Sequence, residues 1–169
     1  MILTGSEIAK VRKARRITIE PYSATQLNPN SYDFRLGTQL GVPVTNGGAL
    51  EFSVIDLPVD GFVLEPRKMY LGHTLEKLGS DTYAMRLMGR SSLGRLGLFL
   101  QVSADLGHTG ACHQWTLEIV AALPFKIYPK MRIGQISFWK NFGTPRAYEQ
   151  RYAAFNAPTP SRLNTRPRD

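Results

Sequence analysis

The chain has 169 residues, 43% of them apolar, and a formal charge of +8, which is the size and balance of one soluble domain with a core of its own. No apolar run approaches the ~20 residues a bilayer span needs, and the start lacks the basic-then-apolar pattern of a secretion signal, so a cytoplasmic protein without a membrane partner is expected. The single cysteine, Cys112, excludes an internal disulfide and argues against a structural zinc site built on thiolates.

Elements follow from periodicity. Thr4-Gly5-Ser6-Glu7 reads as a capping box, and Ile8, Val11 and Ala14 form one apolar stripe, so a short helix is predicted over residues 5–15. Ile17 and Ile19 before Pro21 predict a brief extended piece, and Pro and Asn mark 21–30 as a loop. Tyr32, Phe34 and Leu36 alternate with Asp33 and Arg35, which is strand periodicity. Asn46-Gly47-Gly48 is a hairpin signal. Short apolar runs then recur at 52–57, 62–64, 69–71, 83–87, 96–102, 115–121, 125–127 and 133–138, a spacing that predicts an all-β sandwich or barrel. Past Asn141 the composition turns to Pro, Ala, Arg and polar residues. A frayed terminus is one reading of that stretch; Tyr148, Tyr152 and Phe155 favour an element that orders. The expected organisation is a β domain over 1–140 with 141–169 as its tail.

Chemistry-bearing residues concentrate in 89–118. Gly89 permits a tight backbone, Arg90 and Arg95 offer planar cationic forks suited to phosphate, and Ser91 and Ser92 add hydroxyls. On residue types alone such a turn is more often a solvated loop than an anion site. Glu118 is a lone acid among apolar neighbours, placed either on the wet face of a strand or for chemistry. The basic excess favours a polyanion, nucleic acid or nucleotide polyphosphate, but the basic residues are scattered over 10–16, 86–95 and 146–168. Nowhere do they form the aromatic-interleaved stripe that binds single strands, so no nucleic acid polymer is expected. Cys112, His113 and His108 are read as turn and strand residues rather than a metal cluster, and His73 as a structural or surface residue.

The run Gly-Arg-Ser-Ser-Leu-Gly-Arg-Leu-Gly-Leu at 89–98, with Val102-Ser103-Ala104 and then Thr116-Leu117-Glu118, resembles the signature of the dCTP deaminases, members of the trimeric dUTPase superfamily. The likeness extends to Asn28-Pro29-Asn30-Ser31-Tyr32-Asp33-Phe34-Arg35-Leu36-Gly37, to the block from Leu64 to Glu76, to Tyr128 through Gln135, and to the tail from Arg151 to Arg162. It implies a mainly β fold, a distorted barrel or jelly roll of the dUTPase-like (β-clip) type with a short N-terminal helix. It also implies a homotrimer with sites between subunits, so that Ser91 and Glu118 come from different chains.

The activity implied is hydrolytic deamination of a deoxycytidine nucleotide to the deoxyuridine nucleotide and ammonia, feeding dUMP and dTTP synthesis. The zinc deaminases carry His-x-Glu and Pro-Cys-x-x-Cys; this chain lacks both, so zinc-free chemistry is expected, with Glu118 as general acid and base. By resemblance, Ser91, Arg95 and the carbonyl of Ala104 help hold the water. The loop Arg90, Ser91, Ser92, Leu93, Gly94 and Arg95 takes the triphosphate, whose Mg2+ enters with it. The backbone of Thr116, Leu117 and Glu118 reads the base, and Tyr148 and Arg151 close over the phosphates as a lid.

Departures from the family pattern fall at His108, where an Asp contacting the sugar is usual, at Asp105-Leu106, where His-Arg is frequent, and at Phe155, where a base-reading Gln is usual. They raise the question of an altered cytosine nucleotide as substrate. The rival readings are a dUTP diphosphatase or bifunctional enzyme, both of which use an acid where His108 stands, and a catalytically silent nucleotide-binding regulator on the same fold.

Overall fold

The computed structural model describes residues 1–46, 49–101, 103–148 and 156–161. Helix α1, Gly5–Lys13, starts where Thr4 Oγ1 accepts the Glu7 amide at 3.4 Å. The Glu7 carboxylate turns to Lys10 instead of back to the cap. The helix stops short of the expected residue 15 because Arg15 takes a left-handed φ of 57°, which a right-handed helix cannot continue. Ile8 and Val11 are its buried stripe.

The strands are β1 (Thr18–Glu20), β2 (Tyr32–Arg35), β3 (Gln39–Asn46), β4 (Ala49–Asp56), β5 (Phe62–Leu64), β6 (Met69–His73), β7 (Lys77–Gly79) and β8 (Tyr83–Gly89). A one-turn helix, α2 (Ser91–Gly94), interrupts them. Then come β9 (Leu98–Leu100), β10 (Leu106–Gly107), β11 (Cys112–His113), β12 (Thr116–Ala121), β13 (Phe125–Ile127) and β14 (Arg132–Lys140). The hairpin expected at Asn46-Gly47-Gly48 joins β3 to β4, with Asn46 opposite Ala49; Gly47 and Gly48 themselves lie outside the described residues.

Strand pairing is antiparallel throughout the described sheets. One sheet runs β4-β3-β6-β12-β9, another β10-β8-β14-β2, and smaller ones β1-β7-β11 and β13-β5. The mainly β class with a short N-terminal helix is as the sequence predicts, but no sheet order closes on itself into a barrel. Tyr32, Phe34, Leu40, Leu64, Leu87, Leu117, Ile119, Ile136 and Phe138 are buried between the layers. Removing their apolar surface from water, at about 25 cal/mol per Å2, is the main stabilising term.

Buried polarity is concentrated under β2. Glu76 is fully buried and accepts from Arg35 N (2.8 Å), Arg35 Nε (2.7 Å) and Gln26 Nε2 (3.1 Å). Such a carboxylate is tolerated because every strong donor near it is used. His73 is also buried; its Nδ1 pairs with the Thr74 carbonyl at 3.0 Å, and its Nε2 meets no hydrogen-bond partner among the described residues. Burial holds its pKa below the usual imidazole value. Gly37 makes room for that ring, since a Cβ at Gly37 would sit inside it.

Candidate active site

Alternation along β12 decides where its acid goes. Leu117, Ile119 and Ala121 are buried, while Thr116, Glu118 and Val120 are half-buried on the opposite face. Glu118 therefore points away from the core, toward the face shared with its cross-strand neighbour Leu71 on β6. That face walls a cavity of about 530 Å3, to which Glu118, Thr116, Ala104 and Gln101 contribute. Phe52 and Leu71 supply apolar wall, and Trp115 lies at its side. A carboxylate beside apolar wall and a few convergent polar groups is the usual form of a small-molecule site.

The predicted residues Glu118, Ala104 and Thr116 are thus brought together. Leu117 lies in the core, so only its backbone could serve a ligand. Glu118 already uses its backbone: its amide donates to Gln101 Oε1 at 2.8 Å and its carbonyl accepts from Gln101 N at 3.1 Å. β9 pairs with β12 only from Ile119 onward. The edge at Thr116, two residues before Glu118 and turned the same way, therefore runs past the end of β9 and is where backbone could read a base. The sequence reading passed over Gln101, whose only signal is a polar amide closing the apolar run that precedes it.

The loop residues expected to take phosphate are elsewhere in the chain's own structure. Ser91, Ser92 and Arg95 are exposed, Leu93 and Gly94 half-buried, and none of them lines the Glu118 cavity. The loop is supported from below. Asp33, buried on β2, faces Arg90 Nε at 3.5 Å and accepts from Asn28 Nδ2 at 2.8 Å. Ser31 Oγ donates to Gln135 Oε1 at 2.7 Å, and Gln135 Nε2 reaches the Gly89 carbonyl at 3.4 Å. The Asn28-to-Arg35 motif is thus the footing on which the Gly89-Arg90-Ser91 turn stands.

His108 and Tyr148 stack on each other with centroids 5.0 Å apart, and the Tyr148 amide donates to the Thr109 carbonyl at 2.9 Å. Neither lines the Glu118 cavity. Asp105 pairs with Arg86 of β8, and its carbonyl accepts from Leu87 N at 2.8 Å, so this departure from the family pattern anchors the turn. Arg151 and Phe155 lie outside the described residues.

The next part of the tail does reach the cavity. Pro158 is buried, and Thr159, Pro160 and Ser161 contribute to the wall. Thr116 Oγ1 donates to the Ala157 carbonyl and accepts from Thr159 N, both at 3.3 Å, while Asn156 Oδ1 accepts from Gln114 N at 3.2 Å. Among the described residues no three His, Cys, Asp or Glu side chains converge as metal ligands; His113 stacks on Trp115 instead, at 4.4 Å.

Known proteins resemble this chain in sequence and fold. A family model described as dCTP deaminase-like matches residues 2–141. A Cytophaga hutchinsonii protein named dCTP deaminase, dUMP-forming, is 44% identical over 142 residues, covering 82% of each chain. A Rhodopirellula baltica protein named dCTP deaminase is 36% identical over 169 residues, covering 97% of this chain and 85% of that one. The crystal structure of 2'-deoxycytidine 5'-triphosphate deaminase from Agrobacterium tumefaciens shares the fold with a TM-score of 0.68 at 24% identity, over 83% of this chain and 48% of that one. With the family model spanning the strands that carry both the Ser91 loop and Glu118, the chain belongs to the dCTP deaminase-like family.

Proposed function

We propose that this chain hydrolytically deaminates dCTP at C4 of the cytosine, with Glu118 moving the protons. It is an enzyme of nucleotide metabolism, a hydrolase acting on a deoxycytidine nucleotide. The observation that carries the reading is Glu118 on the cavity face of β12, in one wall with Ala104 and Thr116. Water attacks C4 while the Glu118 carboxylate takes one of its protons. That proton passes to the ring nitrogen, and the amino group leaves as ammonia with the second, leaving a C4 carbonyl. The Ala104 carbonyl is the acceptor that orients the water's remaining hydrogen.

Arg90, Ser91, Ser92 and Arg95, with the Leu93-Gly94 backbone, bind the triphosphate. Among these residues there is no carboxylate, and Asp33 beneath them is held by Asn28 and Arg90. This donor set suits Mg2+ coordinated by the phosphates themselves, with the ion supplying charge neutralisation. By the family resemblance, Tyr148 and Arg151 are the phosphate contacts of the tail, and Phe155 takes the sequence position of a base-reading Gln. His108 lies at the sugar end.

The separation of the Ser91 loop from the Glu118 cavity supports a site shared between chains. We read the assembly as a cytoplasmic homotrimer in which one subunit's loop completes its neighbour's cavity. Leu96 and Phe99, 62% and 45% exposed, lie on either side of Gly97, whose carbonyl accepts from Ala122 N at 2.8 Å; the residue after Ala122, Leu123, is 66% exposed. That apolar surface beside the loop suits cover by a second copy.

A second reading concerns the product. The Cytophaga hutchinsonii relative, like one from Hathewaya histolytica also 44% identical, bears the name dUMP-forming, which favours loss of pyrophosphate in the same cycle. Against it, His108 stands where that hydrolysis uses an acid. Ammonia and pyrophosphate release, measured together across dCTP, dCMP, CTP, dUTP and 5-substituted dCTP, separates the readings. Equal release of both from dCTP means dUMP, and ammonia alone means dUTP. No ammonia from any cytosine nucleotide refutes the deaminase reading, and preference for a 5-substituted substrate refutes plain dCTP. The Glu118→Gln protein is expected to keep nucleotide binding and lose turnover by about 100-fold or more.

A further inference from the structure

We infer that Gln101 is a positioning residue that fixes the Ala104 carbonyl against Glu118. The inference rests on the proposed deamination at this site. β9 ends at Leu100, whose partner on β12 is Ile119. One step further, a regular ladder would set the Gln101 carbonyl on the Glu118 amide. Gln101 instead adopts φ 49°, a left-handed conformation that turns the chain off the strand line. Its own amide still reaches the Glu118 carbonyl at 3.1 Å. The bond that the backbone gives up is restored by the side chain, whose Oε1 accepts from the Glu118 amide at 2.8 Å.

The other end of the same amide group reaches the water-holding oxygen. Gln101 Nε2 donates to the Ala104 carbonyl at 3.1 Å. One planar carboxamide therefore spans the strand that carries the acid and the carbonyl that orients the water. A carbonyl oxygen has two lone pairs, so this bond leaves the second for the water. The role needs an acceptor and a donor on one tip at this reach. Leu offers neither, and an ionised Glu offers acceptors only. Cavity lining by Gln101, Ala104 and Glu118 together puts all three against the same space.

The test uses Gln101→Leu and Gln101→Glu in the full chain, with kcat and KM for dCTP, the pH profile of kcat, and equilibrium nucleotide binding. Gln101→Leu is expected to lower kcat about 10- to 100-fold, the scale of a reacting group displaced by less than about 1 Å, with KM within about threefold. Gln101→Glu, of the same length and shape, is expected to lose a similar factor. It should also move the acidic limb of the kcat profile to higher pH, because a second negative charge beside Glu118 disfavours its ionised form. Retention of kcat within about twofold in either variant overturns the inference, as does loss confined to KM or an acidic limb that Gln101→Glu leaves in place. Should Gln101→Leu fail to fold, Gln101→Glu carries the test alone. No ammonia release from the unaltered chain overturns the functional reading, and this inference with it.

Discussion

Two buried side chains test how charge is carried inside this molecule. Glu76 is held by Arg35 and Gln26 with no exposure of its own. Glu76→Ala leaves the Arg35 guanidinium and backbone amide without their acceptor, and is expected to destabilise the fold by about 3 kcal/mol, read as a lower urea midpoint at constant slope. His73 gives a pH dependence. Burial depresses its folded pKa, while the unfolded chain titrates near the ordinary ~6.5. Above that pH both states are neutral. Below it the unfolded state takes up a proton that the native state refuses, so stability falls as pH drops, by up to ~1.4 kcal/mol per pH unit. Urea midpoints at pH 7.5 and 5.5 should converge in His73→Gln relative to the unaltered chain; an unchanged difference would assign the slope to other groups. Neither burial was legible in the sequence, because burial of a lone polar side chain depends on partners far away in the chain: Gln26 and Glu76 are 50 positions apart.

At the level of elements, legibility followed the period of the pattern. The alternation at Tyr32, Phe34 and Leu36 pointed to β2 and the apolar run at 115–121 to β12, while the facing of Glu118 came only with the strand's burial pattern. The helix start was readable from Thr4, while its end was not, since Arg15 turns left-handed without a glycine to announce it. The run at 96–102 overstated β9, which is Leu98–Leu100, because apolar residues beyond the pairing look the same as those within it. What the order of residues could not convey is the docking of Asn156 through Ser161 at the cavity. Those bonds use Thr116 Oγ1 and the Gln114 amide, groups with no sequence signature. Truncation before Asn156 is expected to raise KM for dCTP about tenfold or more while changing the melting temperature little, since few core residues lie in the segment. Unchanged KM would reduce the segment to surface packing.

For the molecule as a whole, the distribution of the site is the issue. Glu118 and the Ser91 loop sit on different parts of one chain's surface, so two defective proteins should repair one another if the trimer reading holds. Ser91→Ala and Glu118→Gln chains are each expected to be inactive. Co-assembled in equal amounts, they should recover about a quarter of the unaltered activity, the share of random pairings that unites an intact loop with an intact acid across an interface. Absence of recovery in mixed trimers verified by mass would place the whole site within one chain. One property of β12 bears on how such proteins should be compared. The Glu118 carboxylate, the proposed proton carrier, and the three core anchors Leu117, Ile119 and Ala121 occupy opposite faces of the same six residues. On the proposed chemistry, a single codon change at Glu118 discards turnover without loosening the shell, so yield and heat resistance do not tell whether a homologue still reacts.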